Sequence, residues 1–277
     1  MLSTGSERAV ACLEVMIDGE GAINEQAPEY SNYIERLRKT AVDALEMLGA
    51  PGAETLRAKQ KPLEEFIAHS LTPAGTFVEV GDSMPRRPEF VRGGALEFAL
   101  SNGAAGAEIP RVKVYEAGYI FGRSGFGQRR PKDLESYYTL RFGPPRQIHG
   151  HFDHLSLTYW DRGRNIIVDA GHPGYVRGPL RSYAQSRLAH NVLTVRGKEH
   201  DVEAASRLMD YQIEETWSAF DLEDTAWGGL HWNRSACFVD CGPFVVSDSL
   251  ESTRTVEYAE QRLSLIHISE PTRLRRI

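Results

Sequence analysis

Apolar residues in the first part of the chain recur at the spacing of an amphipathic helix. Between residues 31 and 48 they are three or four positions apart, at Ile34, Leu37, Ala41, Leu45 and Leu48. Pro28 before this run and Gly49 after it are ordinary signals for the start and the end of a helix. A weaker pattern predicts another helix over residues 62–69. Helices with one apolar stripe each bury little surface alone, so residues 1–72 are predicted to be part of a larger helical domain.

The pattern changes twice further along the chain. Residues 73–110 are rich in Gly, Pro and Ala, which favours an interdomain connection, with one short helix predicted over residues 90–100. From residue 111 to residue 263, short β-like runs are separated by Gly, Pro and Asp-Arg-Gly turns, with no long helix between them. This order predicts an α+β chain of more than one domain, in which helices precede an antiparallel β-sandwich.

Composition narrows the class of protein and of partner. The 277 residues are 41% hydrophobic and 25% charged, which is typical of a folded globular protein. No run approaches the ~18 apolar residues that a membrane-spanning helix needs, so no membrane span is predicted. The net charge of −6 is spread along the chain and offers no basic patch for a nucleic acid. Three cysteines do not make a disulfide framework.

Histidines are concentrated in one segment, RQIHGHFDHLSLTYW. His149 and His151 are two residues apart, so in an extended strand their Cα atoms lie ~7 Å apart on the same face. Asp169 ends the apolar run IIV, and His190 precedes the β-like run VLTV. Imidazoles and a carboxylate from different strands are a common ligand set for Zn²⁺. For Asp169 a turn carboxylate, and for His190 a buried structural histidine, are the alternatives.

Other side chains are candidates for catalysis or substrate contact. Tyr30 lies in the first turn of the helix that Pro28 opens, where a tyrosine usually anchors the core and less often takes part in chemistry. Tyr175, Arg181 and Tyr183 lie in GYVRGPLRSYAQS, and arginine offers paired donors to a carboxylate or sulfate. These three residues are predicted to contact an acidic substrate. Asn191, which follows His190, is a further predicted substrate contact.

Taken together, these segments resemble a known family. HGHFDHLSLTYWDRGRNIIVDAGHPGY, then Tyr183, then SRLAHNVLTVRG are similar to the C-terminal β-domain of the heparinase II/III-like polysaccharide lyases, relatives of the alginate and oligoalginate lyases. The resemblance extends upstream through EAGYIFGR and INEQAPEY and downstream through WNRSACFVDCGPFVVSDSL. It implies the C-terminal part of an α/α toroid followed by an antiparallel β super-sandwich.

The resemblance also implies roles for individual residues. His149 matches the catalytic histidine and Tyr30 the catalytic tyrosine, while His151, Asp169 and His190 match the ligands of one Zn²⁺ that orients the site. The implied reaction is β-elimination on an acidic polysaccharide that contains uronic acid, with Tyr30 and His149 as proton acceptor and donor in either order. The implied location is the periplasm, the cell envelope or the cell exterior.

Two features depart from the family pattern. The group that neutralises the substrate carboxylate comes from the toroid upstream of the tyrosine in the family, and no matching motif precedes Tyr30. We therefore expect the chain to be a fragment with impaired activity. At the other end, LIHISEPTR resembles a translated sequencing adapter, and residues 264–277 are predicted to be an artefactual tail.

Two functions of other classes remain as alternatives. The string His-Gly-His-Phe-Asp-His also fits the metallo-β-lactamase-like hydrolases, which bind two zinc ions. In that fold, however, the motif opens a loop and a helix, whereas here the residues from Leu155 onward are predicted to continue as a strand. The other alternative is a non-catalytic carbohydrate-binding β-sandwich whose histidines hold a structural metal.

Overall fold

In the described residues, all α-helices but one lie in the first 100 positions, and the antiparallel strands follow, with one short helix among them. The computed structural model describes residues 2–89, 93–128, 130–240, 242–253, 256 and 258–264. The helices are α1 (Leu2–Met16), α2 (Ser31–Met47), α3 (Ala53–Ala58), α4 (Gln60–His69), α5 (Ala95–Leu100) and α6 (Pro179–Gln185). A single 3₁₀ turn, Pro28–Tyr30, leads directly into α2. The helix predicted over residues 90–100 begins at Ala95, after two glycines, the first of which has a φ of 86°.

The strands form three antiparallel sheets in the described part of the chain. The strands are β1 (Val112–Tyr115), β2 (Tyr119–Arg123), β3 (Tyr137–Arg141), β4 (Leu157–Asp161), β5 (Arg164–Ile167), β6 (Leu193–Val195), β7 (Ser206–Ile213), β8 (Trp217–Asp224), β9 (Leu230–Val239), β10 (Phe244–Ser252) and β11 (Ala259–Gln261). The first sheet has the order β1 to β5, the second the order β10-β9-β8-β7, and the third pairs β11 with β6. The predicted α+β class, with helices preceding antiparallel sheets, is confirmed.

The five-stranded sheet is the middle layer of the molecule and is buried on both faces. In β2, Tyr119 and Phe121 pack into a core shared with the helices, whereas Ile120 between them packs into the core shared with the four-stranded sheet. Tyr137 and Tyr138 of β3 divide between the two cores in the same way. Successive side chains of a strand point to opposite faces of the sheet. Because both faces of this sheet are covered, apolar and polar residues do not alternate along these strands.

The segment predicted to be an interdomain connection is packed against the body of the molecule. Phe77 is fully buried in the helical core, and Val80 has 1% of its surface exposed. A bridge between Leu71 and Phe77 turns this segment back on itself, so that residues 79–83 run beside the loop before β4. The segment therefore contributes to the seam between helices and sheet.

The histidine-rich segment continues into an antiparallel strand, as predicted from Leu155 onward. β4 begins at Leu157 and pairs with β3 and β5, which is not the loop and helix that a metallo-β-lactamase-like site requires. At the end of the chain, the predicted artefactual tail lies outside the described residues except for Ser264, whose backbone carbonyl accepts a hydrogen bond from Val168.

Candidate active site

Tyr30 and His149 meet at the seam between the helices and the five-stranded sheet. Tyr30 ends the 3₁₀ turn before α2, and His149 lies in the loop between β3 and β4. Their rings are stacked, with centroids 4.0 Å apart and an interplanar angle of 19°. Two residues that are 119 positions apart in the sequence therefore present a phenol and an imidazole to one place.

The backbone of His149 is held from both sides of the seam. Its amide donates to the carbonyl of Glu25, and its own carbonyl accepts from the amide of Asp82 at 2.9 Å. The side chain of Gln26 reinforces the loop, because its amide nitrogen donates to the carbonyl of Pro145 at 3.1 Å while its oxygen accepts from the amide of Gln147. Backbone hydrogen bonds to Glu25 and Asp82 therefore fix the position of the His149 imidazole.

A second group of side chains is more deeply buried than His149. His151, Asp169 and His190 each offer one ligand atom, and these atoms all lie within 4.8 Å of one another. His151 and His190 are 1% and 2% exposed. His151 Nδ1 and His190 Nε2 are buried and have no hydrogen-bond partner among the described residues. Buried polar atoms are nearly always paired, so two unpaired imidazole nitrogens beside a carboxylate fit a divalent cation of the zinc type.

The charge of Asp169 changes the protonation of its neighbour. His190 Nδ1 lies 2.7 Å from Asp169 Oδ2. Burial alone would lower the pKa of His190, but the Asp169 carboxylate outweighs it, so the pKa is raised. In the absence of a cation, the pair is held by this hydrogen bond.

Asp82 is the residue around which the site is arranged, and the sequence analysis did not single it out. Its side chain has 0% exposed surface. Oδ1 lies 2.8 Å from His151 Nε2, and Oδ2 lies 3.1 Å from His149 Nδ1. Arg181 contacts both oxygens, with Nη2 2.5 Å from Oδ2. Burial alone would raise the pKa of this carboxyl, but the hydrogen bonds from His151, Arg181 and His149 hold it well below its ordinary value.

His172 is a further histidine of the site that the sequence analysis left out. Its side chain is 1% exposed, and burial lowers its pKa. Nδ1 lies 2.9 Å from Arg181 Nη1, and the ring packs against Tyr175 at 4.4 Å. Its place in VDAGHPGY, three residues after Asp169, was the only signal that could have suggested it.

The predicted substrate contacts are divided between surface and interior. Tyr175 is 56% exposed, and its ring meets the edge of His149 at 5.9 Å. Tyr183 is 48% exposed, and its hydroxyl donates to the carbonyl of Leu188. Tyr175 therefore lies beside His149 with its ring exposed, and Tyr183 is exposed on α6.

The side chains of Arg181 and Asn191 both have partners within the protein. The guanidinium of Arg181 is occupied by the Asp82 carboxylate and is therefore not a free cation for a substrate. Asn191 is 0% exposed. Its amide nitrogen donates to the carbonyls of Leu157 and Val168, and its oxygen accepts from the amide of Ser264. Asn191 therefore joins strand ends in the interior and has no surface left for a substrate.

Comparison with known proteins agrees with this architecture. The profile of the family described as heparinase II/III-like, C-terminal, matches residues 120–265. The heparan sulfate lyase HepC from Pedobacter heparinus has a similar structure, with a TM-score of 0.78 and 17% identity over 92% of this chain and 42% of that protein. A heparinase III gene product gives 0.77 and 18%, with the same coverage. A further structure of heparinase III gives 0.74 and 16%, over 91% of this chain and 43% of the other.

These similarities differ in what they establish. At 16–18% identity the solved structures establish the fold. This chain spans about two fifths of the length of those proteins. A search of curated proteins by sequence gave no match.

Proposed function

We propose that this chain, which belongs to the heparinase II/III-like family, carries the acid and base groups of a polysaccharide lyase that cleaves a uronic-acid polymer by β-elimination. The observation that carries the proposal is the stack of Tyr30 on His149 at the seam, 4.0 Å between ring centroids. A phenol and an imidazole side by side can remove one proton and donate another on the same bound sugar. The similar structures are named as heparan sulfate lyases and heparinase III, so heparan sulfate is the first polymer to test.

The reaction needs three things from the protein. One group must take the proton from C5 of the uronate, and one must protonate the leaving glycosidic oxygen. Tyr30 and His149 supply these two groups, in an order that depends on the stereochemistry of the substrate. The third group neutralises the substrate carboxylate so that negative charge can develop at C5, and one such donor contributes ~3–4 kcal/mol. That group is not assigned to a residue of this chain, and the low activity predicted for the 277 residues remains a prediction.

His151, Asp169 and His190 would hold the cation. A bound Zn²⁺ would supply fixed positive charge at the back of the site and brace the strand ends that carry its ligands. The residues themselves are already close to a ligand arrangement, since their donor atoms lie within 4.8 Å of one another. Their part in the reaction is to hold in place the loop that carries His149.

The surface beside the stack fits a sugar chain. Tyr175 stands at the edge of His149 with more than half of its surface exposed. An exposed aromatic ring offers an apolar face and a polar hydroxyl to a carbohydrate. We propose that the polymer lies against Tyr175, and that Tyr183, which is exposed on α6, is a second contact for it. For such a substrate we further propose a periplasmic, envelope or secreted location, which fractionation of the source cells would test. Among the described residues, no helix is long and apolar enough to cross a membrane.

The test of the function is a lyase assay with matched histidine variants. The chain, and a version extended upstream, are incubated with heparan sulfate, heparin and alginate, while the ultraviolet absorbance of the unsaturated uronate is followed. His149→Ala should abolish turnover and leave most of the metal bound. The control is His231→Ala, since the side chain of His231 is 53% exposed on β9.

Three outcomes separate the hypotheses. Product formation that His149→Ala abolishes and His231→Ala preserves supports the lyase. Polymer binding without product in both lengths of chain would indicate the non-catalytic carbohydrate-binding sandwich instead. Equal activity of the short and extended chains would contradict the predicted impairment of the 277-residue form.

A further inference from the structure

We propose that Asp82 is a positioning residue that holds the proposed catalytic histidine, His149, and the proposed metal ligand His151 on one carboxylate. The inference rests on the proposed function, because it assigns the same site an additional residue. It goes further in one respect, since it makes both metal binding and turnover depend on Asp82.

His149 and His151 face different oxygens of Asp82, and a third histidine, His172, lies with its Nδ1 3.2 Å from Oδ1. Oδ2 faces Nδ1 of His149 and Oδ1 faces Nε2 of His151, at 3.1 and 2.8 Å. An ionised carboxylate only accepts hydrogen bonds, so each of these nitrogens must carry a proton. The two rings are therefore held through opposite nitrogens.

This arrangement leaves a different nitrogen of each ring without a bond to Asp82. His149 keeps Nε2, which points away from Asp82 and lies 3.5 Å from Glu25 Oε2. His151 keeps Nδ1, which is buried without a partner in the described part of the chain. Tyr30 stacks on the ring of His149, and His151 offers one ligand atom to the group that includes Asp169 and His190.

Asp82 itself is fixed from several directions. Arg181 spans both carboxylate oxygens, and the backbone amide of Asp82 donates to the carbonyl of His149. Gly81 before it has a φ of 59°, and a Cβ at that position would lie 2.8 Å from the same carbonyl. Because neither the backbone nor the side chain can shift freely, Asp82 holds both histidines in place, and a substitution at Asp82 should affect both of them.

A carboxylate that accepts a hydrogen bond from a metal-binding histidine usually sets the tautomer of the ring. Its loss typically lowers metal affinity 10- to 100-fold. Asparagine has the shape of aspartate but only one accepting oxygen, so Asp82→Asn can serve one of the two histidines and not both. We expect this variant to bind Zn²⁺ about 10- to 100-fold more weakly. We also expect its kcat to fall with little change in KM, since the side chain of Asp82 has no exposed surface for a substrate.

The first experiment needs no substitution. Nitrogen-15 NMR of the wild-type chain reports which ring nitrogen carries the proton in each histidine, in the metal-free protein and with Zn²⁺ added. The proposal expects a proton on Nδ1 of His149 and on Nε2 of His151 in both states. Protons on the other nitrogens, or a wild-type chain that binds no Zn²⁺, would overturn the proposed role of Asp82. This test does not depend on whether Asp82→Asn folds.

The second experiment compares Asp82→Asn with Asp224→Asn. Asp224 is also a 0% exposed carboxylate paired with an arginine, Arg187, and its two oxygens bond Arg187 and the amide of Ala226. Both variants lose a buried ion pair and should be less stable, but only Asp82→Asn should lose Zn²⁺ affinity and kcat together. Equal Zn²⁺ affinity in the two variants would reduce Asp82 to a structural role.

The outcomes for the two proposals are distinct. Suppose that Asp82→Asn binds Zn²⁺ more weakly and no longer carries the proton on Nδ1 of His149, while no form of the protein shows lyase activity. The proposed function then fails, and the role of Asp82 in positioning the two histidines stands. If Asp82→Asn keeps full kcat in an active protein, the role of Asp82 fails and the proposed function stands.

Discussion

Replacement of Tyr30 by phenylalanine removes one hydroxyl from the candidate active site and nothing else. The stack on His149 depends on the ring, with centroids 4.0 Å apart, and phenylalanine keeps that ring. No hydrogen bond from the Tyr30 hydroxyl to another described residue is formed. We therefore expect a change in the free energy of unfolding within ~0.5 kcal/mol, as for substitutions that break no buried contact.

The effect on turnover should be far larger. A positioned acid or base is typically worth a factor of ~10² to 10⁴ in rate, which corresponds to ~2.7–5.4 kcal/mol of activation free energy at ~1.36 kcal/mol for each factor of ten. The proposal thus predicts that Tyr30→Phe reduces kcat by at least ~100-fold at almost unchanged stability. The assay is initial-rate kinetics by unsaturated-uronate absorbance, accompanied by thermal unfolding of the same preparation.

The matched control is Tyr33→Phe, one turn further along α2. Tyr33 is 50% exposed, so the loss of its hydroxyl should leave both kcat and stability unchanged. A Tyr30→Phe enzyme that retains most of its kcat would refute the assignment of Tyr30 to proton transfer. A large loss of stability in that variant would instead show that the hydroxyl has a structural partner.

Three further predictions concern the metal ligands, the seam and the effect of pH. Asp169→Asn should lower the bound zinc measured by elemental analysis, and unchanged zinc would remove Asp169 from the ligand set. Gly150→Ala should destabilise the chain by ~1–3 kcal/mol in urea unfolding, because the new Cβ would lie 2.2 Å from Gln26 Oε1, whereas Gly228→Ala, with nothing within 4 Å, should not. Burial lowers the pKa of His69 to about 4 from an ordinary 6.5, so the unfolded chain takes up this proton first as the pH falls. His69 should therefore contribute stability above pH ~6.5 that is lost between pH ~6.5 and ~4, up to ~3 kcal/mol, and His69→Gln should flatten this slope in unfolding titrations.

The sequence predicted those parts of the fold that local periodicity determines. The run from Ile34 to Leu45 has a helical period, and α2 covers Ser31–Met47. The β-like runs predicted the antiparallel sheets, because a turn followed by an adjacent strand is a local event. The middle sheet shows the limit of that reasoning. With Tyr119 and Ile120 buried on opposite faces, the sequence does not reveal which core each residue joins.

The candidate site was predictable in part. His149 and His151 share a segment with a visible motif, and the family resemblance linked Tyr30 to them. Their anchor, Asp82, lies 67 and 69 positions away from these two histidines and 99 positions from Arg181. It is part of a Gly- and Pro-rich segment that has no period, and an aspartate after a glycine is an ordinary turn residue there.

The same separation explains why the partner of Arg181 could not be predicted. Arginine among tyrosines favours an acidic ligand, and the acid that Arg181 contacts in the structure is Asp82 of the chain itself. Burying an ion pair requires additional hydrogen bonds to offset the loss of hydration, and His149 and His151 provide them. The arginine, the carboxylate and the two histidines therefore depend on one another. It follows that Arg181→Ala should disturb His149 and His151 through Asp82, and not by loss of a substrate contact.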